Sequence, residues 1–443
     1  MGPLSPGTQS SMPRQSERES IVKYARSHAE EGSYNVNKYL ISKFPKVYFP
    51  GGRAELEDHA TPAATRVATP SRNAPLTEDP RYLSRQLITY IGNKRALLGH
   101  IGEATQIVCA RQRKSKLRIL DAFAGSGAVS RLFKRYASEL VVNDIEDYSR
   151  AISECYLANI SDFPYADVRD AVDYLNHAVV TPTKPQGFIE RLYAPDNEDN
   201  ITKDDRVFYT RDNARRLDAY RQLIEFVDPR LAPYLLGPLL SEASVHTNTA
   251  GVFKGFYKDR MTGVGRFGGS GSDALVRIKG TIKIREPVLS NYECAYEIFQ
   301  ADANELVEKT GEFDLAYLDP PYNQHPYGSN YFMLNLLVEY VEPQQISKVS
   351  GIPSNWRRSP YNVRAKALGC LRQLIHQVDA RFVLISYNDE GFVSINDMRR
   401  LLDDEGSYEE LQLKYTTFRG SRNLRNRNSH VTEHLFLLDK LKR

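Results

Sequence analysis

The amino-acid sequence predicts an α/β fold in which an open sheet is interrupted by a long insertion. Short apolar segments at residues 117–120, 140–142, 313–318 and 382–386 have the length and composition of buried strands. A glycine-containing turn and a helix-compatible segment at residues 129–137 separate the first two. This order predicts a βαβ unit whose strand ends, together with those of the two later strands, converge on one crevice.

The first 80 residues differ in composition from the rest of the chain. Residues 16–44 carry apolar side chains near helical spacing, whereas residues 60–80 are rich in Ala, Thr and Pro. Residues 1–80 are therefore predicted to form a helical extension followed by a linker. Residues 1–20 lack the apolar centre of a secretory signal, and no apolar run is long enough to span a bilayer. We expect a cytoplasmic protein with no membrane partner.

Composition restricts the functional classes only modestly. A chain of 443 residues with a formal net charge of +4 accommodates one catalytic core with appendages, and this charge alone does not indicate a nucleic-acid partner. The four cysteines are scattered singly, so we expect no zinc or other metal site. Residues 253–285 contain eight Lys or Arg and two Asp, and residues 414–443 have a similar excess. Both stretches are predicted to be basic surfaces; a solvated charged face is the alternative.

The turn after the first predicted strand has the residues of a ligand-binding loop. Asp121 ends the strand, and its carboxylate can accept a hydrogen bond from a ligand amine. Phe123 and Gly125 follow, and glycine lets the backbone pass close to a ligand. A tight turn without a ligand is the alternative. Asp144 ends the second strand and is placed to accept hydrogen bonds from ribose hydroxyls; a helix cap is its alternative role.

The segment Asp319-Pro320-Pro321-Tyr322 directly follows the third predicted strand. An aromatic amine is a poor nucleophile because its lone pair is delocalised into the ring. The Asp319 carboxylate and the Pro320 carbonyl can accept from both N–H groups of such an amine, and consecutive prolines fix the loop that presents them. Tyr322 can stack on a base extruded from a duplex. The segment predicts methyl transfer from a sulfonium to an aromatic amine; a proline turn capped by Asp319 is the alternative.

The region between the second strand and Asp302 has a different character. It contains a glycine-rich segment at residues 263–271 and an alternating segment at residues 276–284, which is predicted to be a strand or hairpin with one basic face. Basic residues with interleaved aromatic residues suit phosphate contacts and base stacking. A solvated basic hairpin is the alternative. The candidate nucleic-acid contacts are Lys254, Lys258, Arg260, Arg277, Lys279, Lys283 and Arg285.

Residues 83–437 resemble the N6-adenine-specific DNA methyltransferases, in particular the group related to the DNA adenine methylases. The resemblance rests on residues 90–94 (YIGNK), the FxGxG turn at residues 123–127 and the DPPY segment. It implies a Rossmann-like, S-adenosylmethionine-dependent methyltransferase sheet with an inserted target-recognition domain. The cofactor-binding residues are expected to be Tyr90, Lys94, Asp121, Phe123, Gly125, Asp144 and Asp302, and the catalytic residues Asp319, Pro320, Pro321 and Tyr322.

The resemblance also implies a division of the chain and a set of partners. Residues 81–160 and 291–443 would form the two parts of the methyltransferase domain, and residues 161–290 the target-recognition insertion. Residues 246–258 resemble a segment of some restriction–modification methyltransferases, which implies contact with double-stranded DNA. The implied function is site-specific methylation of a flipped adenine in a restriction–modification system, where a cognate endonuclease would be a second partner.

Three other functions stay open at this point. The same chemistry serves methyltransferases of RNA adenine and of other planar amines, although those of glutamine and some RNA bases more often begin the motif with Asn. N4-cytosine methyltransferases use a similar motif that usually begins with Ser. The third alternative is a catalytically inactive nucleic-acid-binding protein with a methyltransferase fold, although Lys94, Asp319 and Tyr322 are intact.

Overall fold

The computed structural model describes residues 77–180, 186–269, 273–416 and 430–440. The predicted helical extension and linker, residues 1–80, fall almost entirely outside the described residues, as does part of the basic stretch at residues 414–443. Among the helices in the described ranges, none is both long and apolar enough to cross a membrane.

Seven strands in the described part of the chain form one mixed sheet. They are β1 (Leu117–Asp121), β2 (Ala137–Asn143), β3 (Ala295–Phe299), β4 (Phe313–Leu318), β5 (Ala380–Asn388), β6 (Ser407–Thr416) and β7 (His430–Asp439). Their order across the sheet is β3-β2-β1-β4-β5-β7-β6. The first five strands run parallel, whereas β7 is antiparallel to both β5 and β6.

The described ranges also contain fourteen α-helices and three short 3-10 helices. The α-helices are α1 (Pro80–Ser84), α2 (Leu98–Gln112), α3 (Ala128–Phe133), α4 (Asp147–Tyr156), α5 (Tyr165–Ala178), α6 (Phe188–Tyr193), α7 (Arg211–Ile224), α8 (Ala232–Val245), α9 (Asp273–Lys279), α10 (Ala303–Val307), α11 (Tyr327–Asn330), α12 (Phe332–Glu339), α13 (Arg364–Gln377) and α14 (Ile395–Glu405). The 3-10 helices are Arg95–Leu97, Ile160–Asp162 and Pro360–Asn362.

The four strands predicted from apolar segments are confirmed as β1, β2, β4 and β5. Their apolar runs are nearly continuous because helices cover both faces of the parallel part of the sheet. On β1, for example, Leu120 packs into one buried cluster and Ile119 into another, and both side chains are fully buried. The α/β fold class predicted from the sequence is therefore confirmed.

The strand order reverses between β1 and β4. From β1 the chain proceeds to β2 and β3 on one side, while β4 and β5 lie on the other. In open α/β sheets a crevice forms at this point, beyond the carboxyl ends of the strands. The register pairs Asp121 with Tyr317. The turn after β1 and the DPPY segment after β4 therefore begin side by side.

The region between β2 and β3 is mainly helical in its described parts. Leu175 of α5, Tyr220 of α7 and Leu239 of α8 belong to one buried cluster. The same cluster contains Tyr148 of α4 and Phe332 of α12, which flank the cleft-forming segments. The insertion thus shares a hydrophobic core with the rest of the fold, and its boundaries at residues 161 and 290 stay a prediction.

The strand or hairpin predicted for residues 276–284 is wrong. The first part of this segment belongs to helix α9, and the second part is extended chain without a strand partner. The predicted alternation is present, because Ile282 and Ile284 are buried while Lys283 is exposed. Side-chain amides take the place of a neighbouring strand: Ile282 N–H donates to Asn213 Oδ1 (2.9 Å), and Asn176 Nδ2 donates to the Ile284 carbonyl (3.0 Å). The alternation of apolar and basic residues therefore indicated which side chains are buried, but it did not indicate a sheet.

Candidate active site

A cleft of about 850 Å³, counting the space at its open mouth, lies beyond the carboxyl ends of β1, β2 and β4. Among its lining residues are eight of the site residues predicted from the sequence: Tyr90, Lys94, Phe123, Gly125, Asp144, Asp302, Asp319 and Pro321. Asp121, Pro320 and Tyr322 lie close in sequence to this wall but do not line it.

Gly125 brings the turn after β1 close to the segment that carries Tyr90. Its φ of +55° lies in the left-handed region, which favours glycine. A Cβ at this position would be 2.9 Å from the Tyr90 hydroxyl oxygen, which is closer than real Cβ contacts allow. Only glycine therefore fits here without displacing Tyr90.

Two carboxylates on the cleft wall also organise the backbone. Asp144 Oδ2 accepts from the Gly125 N–H (2.7 Å), and its Oδ1 accepts from the Glu146 N–H (3.0 Å). These bonds join the turn after β1 to the end of β2. Asp302 Oδ1 accepts from the Asn304 N–H (2.9 Å) and caps α10. Both residues also line the cleft. Each carboxylate oxygen has a second lone pair, so both side chains can still accept hydrogen bonds from a ligand.

Asp121 ends β1 but does not line the cleft, so the ligand contact expected for it stays a prediction. Its side chain is fully buried, and Oδ2 accepts from the Ser130 hydroxyl (2.5 Å) on α3. Burial raises the pKa of this carboxyl to about 7. The pleat of β1 directs the Asp121 side chain toward the covering helix α3. Asp121 fixes α3 behind the glycine turn.

Lys94 places one buried positive charge between two carboxylates. Its side chain is 4% exposed; Nζ lies 3.0 Å from Asp319 Oδ1 and 3.6 Å from Glu433 Oε1. The ammonium also donates to the Gly92 carbonyl (3.1 Å). Burial opposes the charge, but Asp319 and Glu433 outweigh burial and hold the pKa of Lys94 well above its ordinary value. Lys94 Nζ therefore contacts Asp319 and the Gly92 carbonyl directly, while Glu433 lies slightly farther away as a second opposite charge.

Asp319 is a mostly buried carboxylate whose ionisation depends on Lys94. Its pKa is raised to about 6: burial raises the pKa most, Lys94 lowers it, and Glu433 adds to the increase. The positive charge of Lys94 therefore favours the ionised form of Asp319 at neutral pH. In that form both oxygens of Asp319 can accept hydrogen bonds.

Three tyrosine rings lie nearly parallel, and two of them, Tyr90 and Tyr327, line the cleft. The centroid of Tyr90 is 5.0 Å from that of Tyr327 and 4.8 Å from that of Tyr331, with interplanar angles of 15° and 21°. The Tyr90 hydroxyl is also 3.2 Å from the Tyr148 hydroxyl. Of these tyrosines, only Tyr90 was predicted from the sequence as a site residue. Tyr327 and Tyr331 stand four residues apart just after the DPPY segment, and this helical spacing was the available signal.

The DPPY loop is anchored on the later strand β5. The Tyr322 carbonyl accepts from the Phe392 N–H (2.8 Å), and the Tyr322 ring meets the Tyr387 ring edge-on at 6.2 Å. Asn362 Nδ2 donates to the Asn323 carbonyl (2.7 Å). These contacts hold the loop from both sides, so the position of the Tyr322 ring is determined by its surroundings.

Glu146 and Arg357 line the cleft and were not predicted from the sequence. The Glu146 carboxylate accepts from Asn335 Nδ2 (2.6 Å), and burial raises its pKa to about 8. Arg357 forms an ion pair with Asp147, the first residue of α4. No local pattern identifies Arg357, because its partner lies in a distant part of the chain.

The seven basic residues of the insertion have different surroundings. Lys254 is exposed beside the DPPY loop: its Nζ is 3.2 Å from His325 Nδ1, and the neighbouring Phe253 N–H donates to the Asn330 carbonyl (2.7 Å). Arg277 instead donates to the carbonyls of Val245, Thr247 and Thr249 and is partly buried. Arg260, Lys279, Lys283 and Arg285 are exposed, and Lys258 lies over the Phe256 ring.

Known proteins are similar to this chain in sequence. Residues 90–401 match the family described as D12 class N6 adenine-specific DNA methyltransferase. The chain is 27% identical to the type II methyltransferase M.NlaIII of Neisseria lactamica, over 80% of this chain and 99% of that protein. It is 29% identical to the type II methyltransferase M.CviAII of Paramecium bursaria Chlorella virus 1, over 79% of this chain and 98% of that protein.

A further relative is longer than this chain. The type II methyltransferase M.FokI of Planomicrobium okeanokoites is 24% identical over 79% of this chain, and the match covers 52% of that protein. The family match spans more than half of the chain and includes the glycine turn, the DPPY segment and strands β1 to β5. The chain therefore belongs to the D12 class of N6 adenine-specific DNA methyltransferases.

Proposed function

We propose that this chain transfers a methyl group from S-adenosylmethionine to N6 of adenine at a specific sequence in double-stranded DNA. One observation carries the proposal: Asp319 follows β4 directly, lines the cleft and is paired with the buried ammonium of Lys94. This gives the site an ionised acceptor on the wall of the cleft. Membership of the D12 class supports adenine in DNA as the target rather than cytosine or RNA.

The residues around the cleft fit S-adenosylmethionine. The conformation of Gly125 leaves room that a Cβ would fill, and the carboxylates of Asp144 and Asp302 suit ribose hydroxyls or amino groups. The Phe123 and Tyr361 rings, with centroids 5.3 Å apart, add apolar surface. When bound, S-adenosylmethionine supplies a methyl group activated by a positively charged sulfur. Tyr90, Phe123, Gly125, Asp144 and Asp302 would hold it.

The chain's own acceptors would activate the target amine. The ionised Asp319 carboxylate and the Pro320 carbonyl would each accept from one N–H group of adenine N6. As the nitrogen gains a methyl group it becomes cationic and must lose a proton, and a nearby carboxylate stabilises that charge. Lys94 contributes indirectly, because it favours the ionised form of Asp319.

The surface beside the DPPY loop suits an extruded base and its backbone. Tyr322 offers a ring on which a flipped adenine can stack. Lys254 lies beside the same loop, because its Nζ contacts Nδ1 of His325. Lys258, Arg260, Lys279, Lys283 and Arg285 would add phosphate contacts. Arg277 is expected to act through the loop it supports, because its guanidinium is directed at backbone carbonyls.

The names of the relatives indicate a biological setting. M.NlaIII, M.CviAII and M.FokI are described as type II methyltransferases. We infer that this chain also modifies DNA within a restriction–modification system, so that a restriction endonuclease of the same specificity would be its counterpart. The protein would then act inside the cell, where that DNA lies.

The proposed function is tested by expressing the chain in cells that lack DNA methylation and mapping modified bases by direct sequencing. We expect N6-methyladenine at one short sequence motif, present in nearly all copies. Expression of Asp319→Asn in the same cells is the control for modification by host enzymes. Unmodified adenine throughout the DNA, or methylation confined to cytosine, would overturn the proposal.

Asp319→Asn should lower the rate of methyl transfer by about 10²–10³-fold, because it removes one preorganised charged acceptor. In the wild-type enzyme the rate should fall as the pH drops through about 6, where Asp319 gains a proton. This acid limb should be missing from the variant. The measurement is the single-turnover rate against pH, with cofactor affinity checked by calorimetry. A variant with wild-type turnover would remove Asp319 from the mechanism.

Gly125→Ala should weaken S-adenosylmethionine binding by about tenfold or more. The left-handed backbone strains a residue with a Cβ, and that Cβ would push Tyr90 out of its place on the cleft wall. Isothermal titration calorimetry measures the effect. Gly99→Ala is the matched control, because a Cβ at this helical glycine has no atom within 4 Å. Equal affinity in both variants would place the cofactor elsewhere.

Lys254→Ala should weaken binding to all DNA sequences and reduce the slope of log affinity against log salt by about one unit, as expected for a lost phosphate contact. Binding is measured on random duplexes at several salt concentrations. Lys309→Ala is the matched control, since this exposed residue precedes β4 at the opposite end of the sheet. An unchanged salt slope in Lys254→Ala would show that this lysine does not contact the backbone.

A further inference from the structure

Glu433 is a buried carboxylate close to Asp319 that none of the motifs includes. It lies on β7, opposite Asn388 of β5, and is 1% exposed. Its Oε1 is 3.6 Å from Lys94 Nζ, the same ammonium that approaches Asp319 Oδ1 to 3.0 Å. Burying a carboxylate costs several kcal/mol unless it is paired. A second acid beside the catalytic one therefore calls for a physical reason.

The reason lies in the sharing of the Lys94 positive charge between Asp319 and Glu433. Lys94 paired with Asp319 alone would form a tight ion pair, in which the carboxylate is ionised but its oxygens are weakened as acceptors for a substrate. Glu433 also attracts the Lys94 ammonium, which weakens the attraction between Lys94 and Asp319. Asp319 thus stays ionised because of Lys94, and stays a strong acceptor because Lys94 is shared.

We propose that Glu433 is a positioning residue that shares Lys94 with Asp319 and so keeps Asp319 available to the N6 amine of the target adenine. This inference rests on the proposed function, because it assigns Asp319 the role of acceptor. Glu433 itself does not line the cleft and acts through Lys94.

Other groups near Asp319 must be considered in any pH experiment. Burial raises the pKa of Tyr317 on β4, of Tyr322 in the DPPY loop and of Tyr327 on α11, so all three stay neutral at neutral pH. Asp121 on β1 also interacts with Asp319, and burial raises its pKa to about 7. The acid limb must therefore be assigned by Asp319→Asn before the effect of Glu433 is interpreted.

The test is the pH dependence of the single-turnover rate for Glu433→Gln. The probes are plasmid DNA from a host without DNA methylation and tritiated S-adenosylmethionine. Because the negative charge of Glu433 raises the pKa of Asp319, its removal should shift the acid limb to lower pH, by about one unit. The rate at neutral pH should fall by about tenfold, since an undivided ion pair weakens the acceptor, with unchanged affinity for S-adenosylmethionine.

Two further variants separate this role from a structural one. Glu433→Asp withdraws the carboxylate from Lys94 but keeps its charge, so it should give a smaller shift in the same direction and keeps the test decisive if Glu433→Gln does not fold. His434→Gln is the matched control, because His434 is the next residue on β7 and pairs instead with Glu410 (2.7 Å). It should leave the acid limb in place.

The outcomes distinguish this inference from the proposed function. A shifted limb in the Glu433 variants, absent in His434→Gln, supports the inference. An acid limb that Asp319→Asn abolishes but the Glu433 variants leave unmoved overturns the role of Glu433 and leaves the proposed function standing. A wild-type protein that methylates no DNA overturns both.

Discussion

The buried ammonium of Lys94 is the interaction on which the rest of the site depends. It is shared between Asp319, which follows β4, and Glu433, which lies on β7, so three distant parts of the chain meet at one charge. Two buried carboxylates without this cation would repel each other, and one would take up a proton. The loop before α2, the end of β4 and the antiparallel strand β7 must therefore all be in place before Asp319 can be an ionised acceptor.

This constraint links the architecture of the sheet to its chemistry. The parallel strands β1, β2 and β4 deliver the glycine turn, Asp144 and Asp319 to one edge, as open α/β sheets generally do. The antiparallel strand β7 makes a different contribution. It pairs with β5 and places the buried carboxylate of Glu433 near Lys94. Tyr90 and Tyr327 complete the arrangement, because their stacked rings pack the segment that carries Lys94 against the helix that follows the DPPY loop.

The sequence predicted those features that depend on local patterns. β1 and β4 were predicted from apolar runs, and Asp319, Lys94 and Gly125 from short motifs in which residue type and spacing carry the chemistry. Features that depend on distant partners were missed. Glu433 is one acid within a strand, so only the fold reveals its neighbour. The segment at residues 276–284 was misassigned because alternating burial does not say whether a strand partner is present.

The most direct test of this account is the rate–pH profile of Lys94→Met at saturating S-adenosylmethionine. This change keeps an unbranched side chain that is one atom shorter and removes its charge. Since Lys94 lowers the pKa of Asp319, the account predicts that the acid limb moves above its wild-type position near pH 6, so that the rate is reduced at pH 7 and recovers at alkaline pH. A limb that stays near pH 6, with a rate at pH 7 within about twofold of wild type, would contradict the central role of the Lys94 charge.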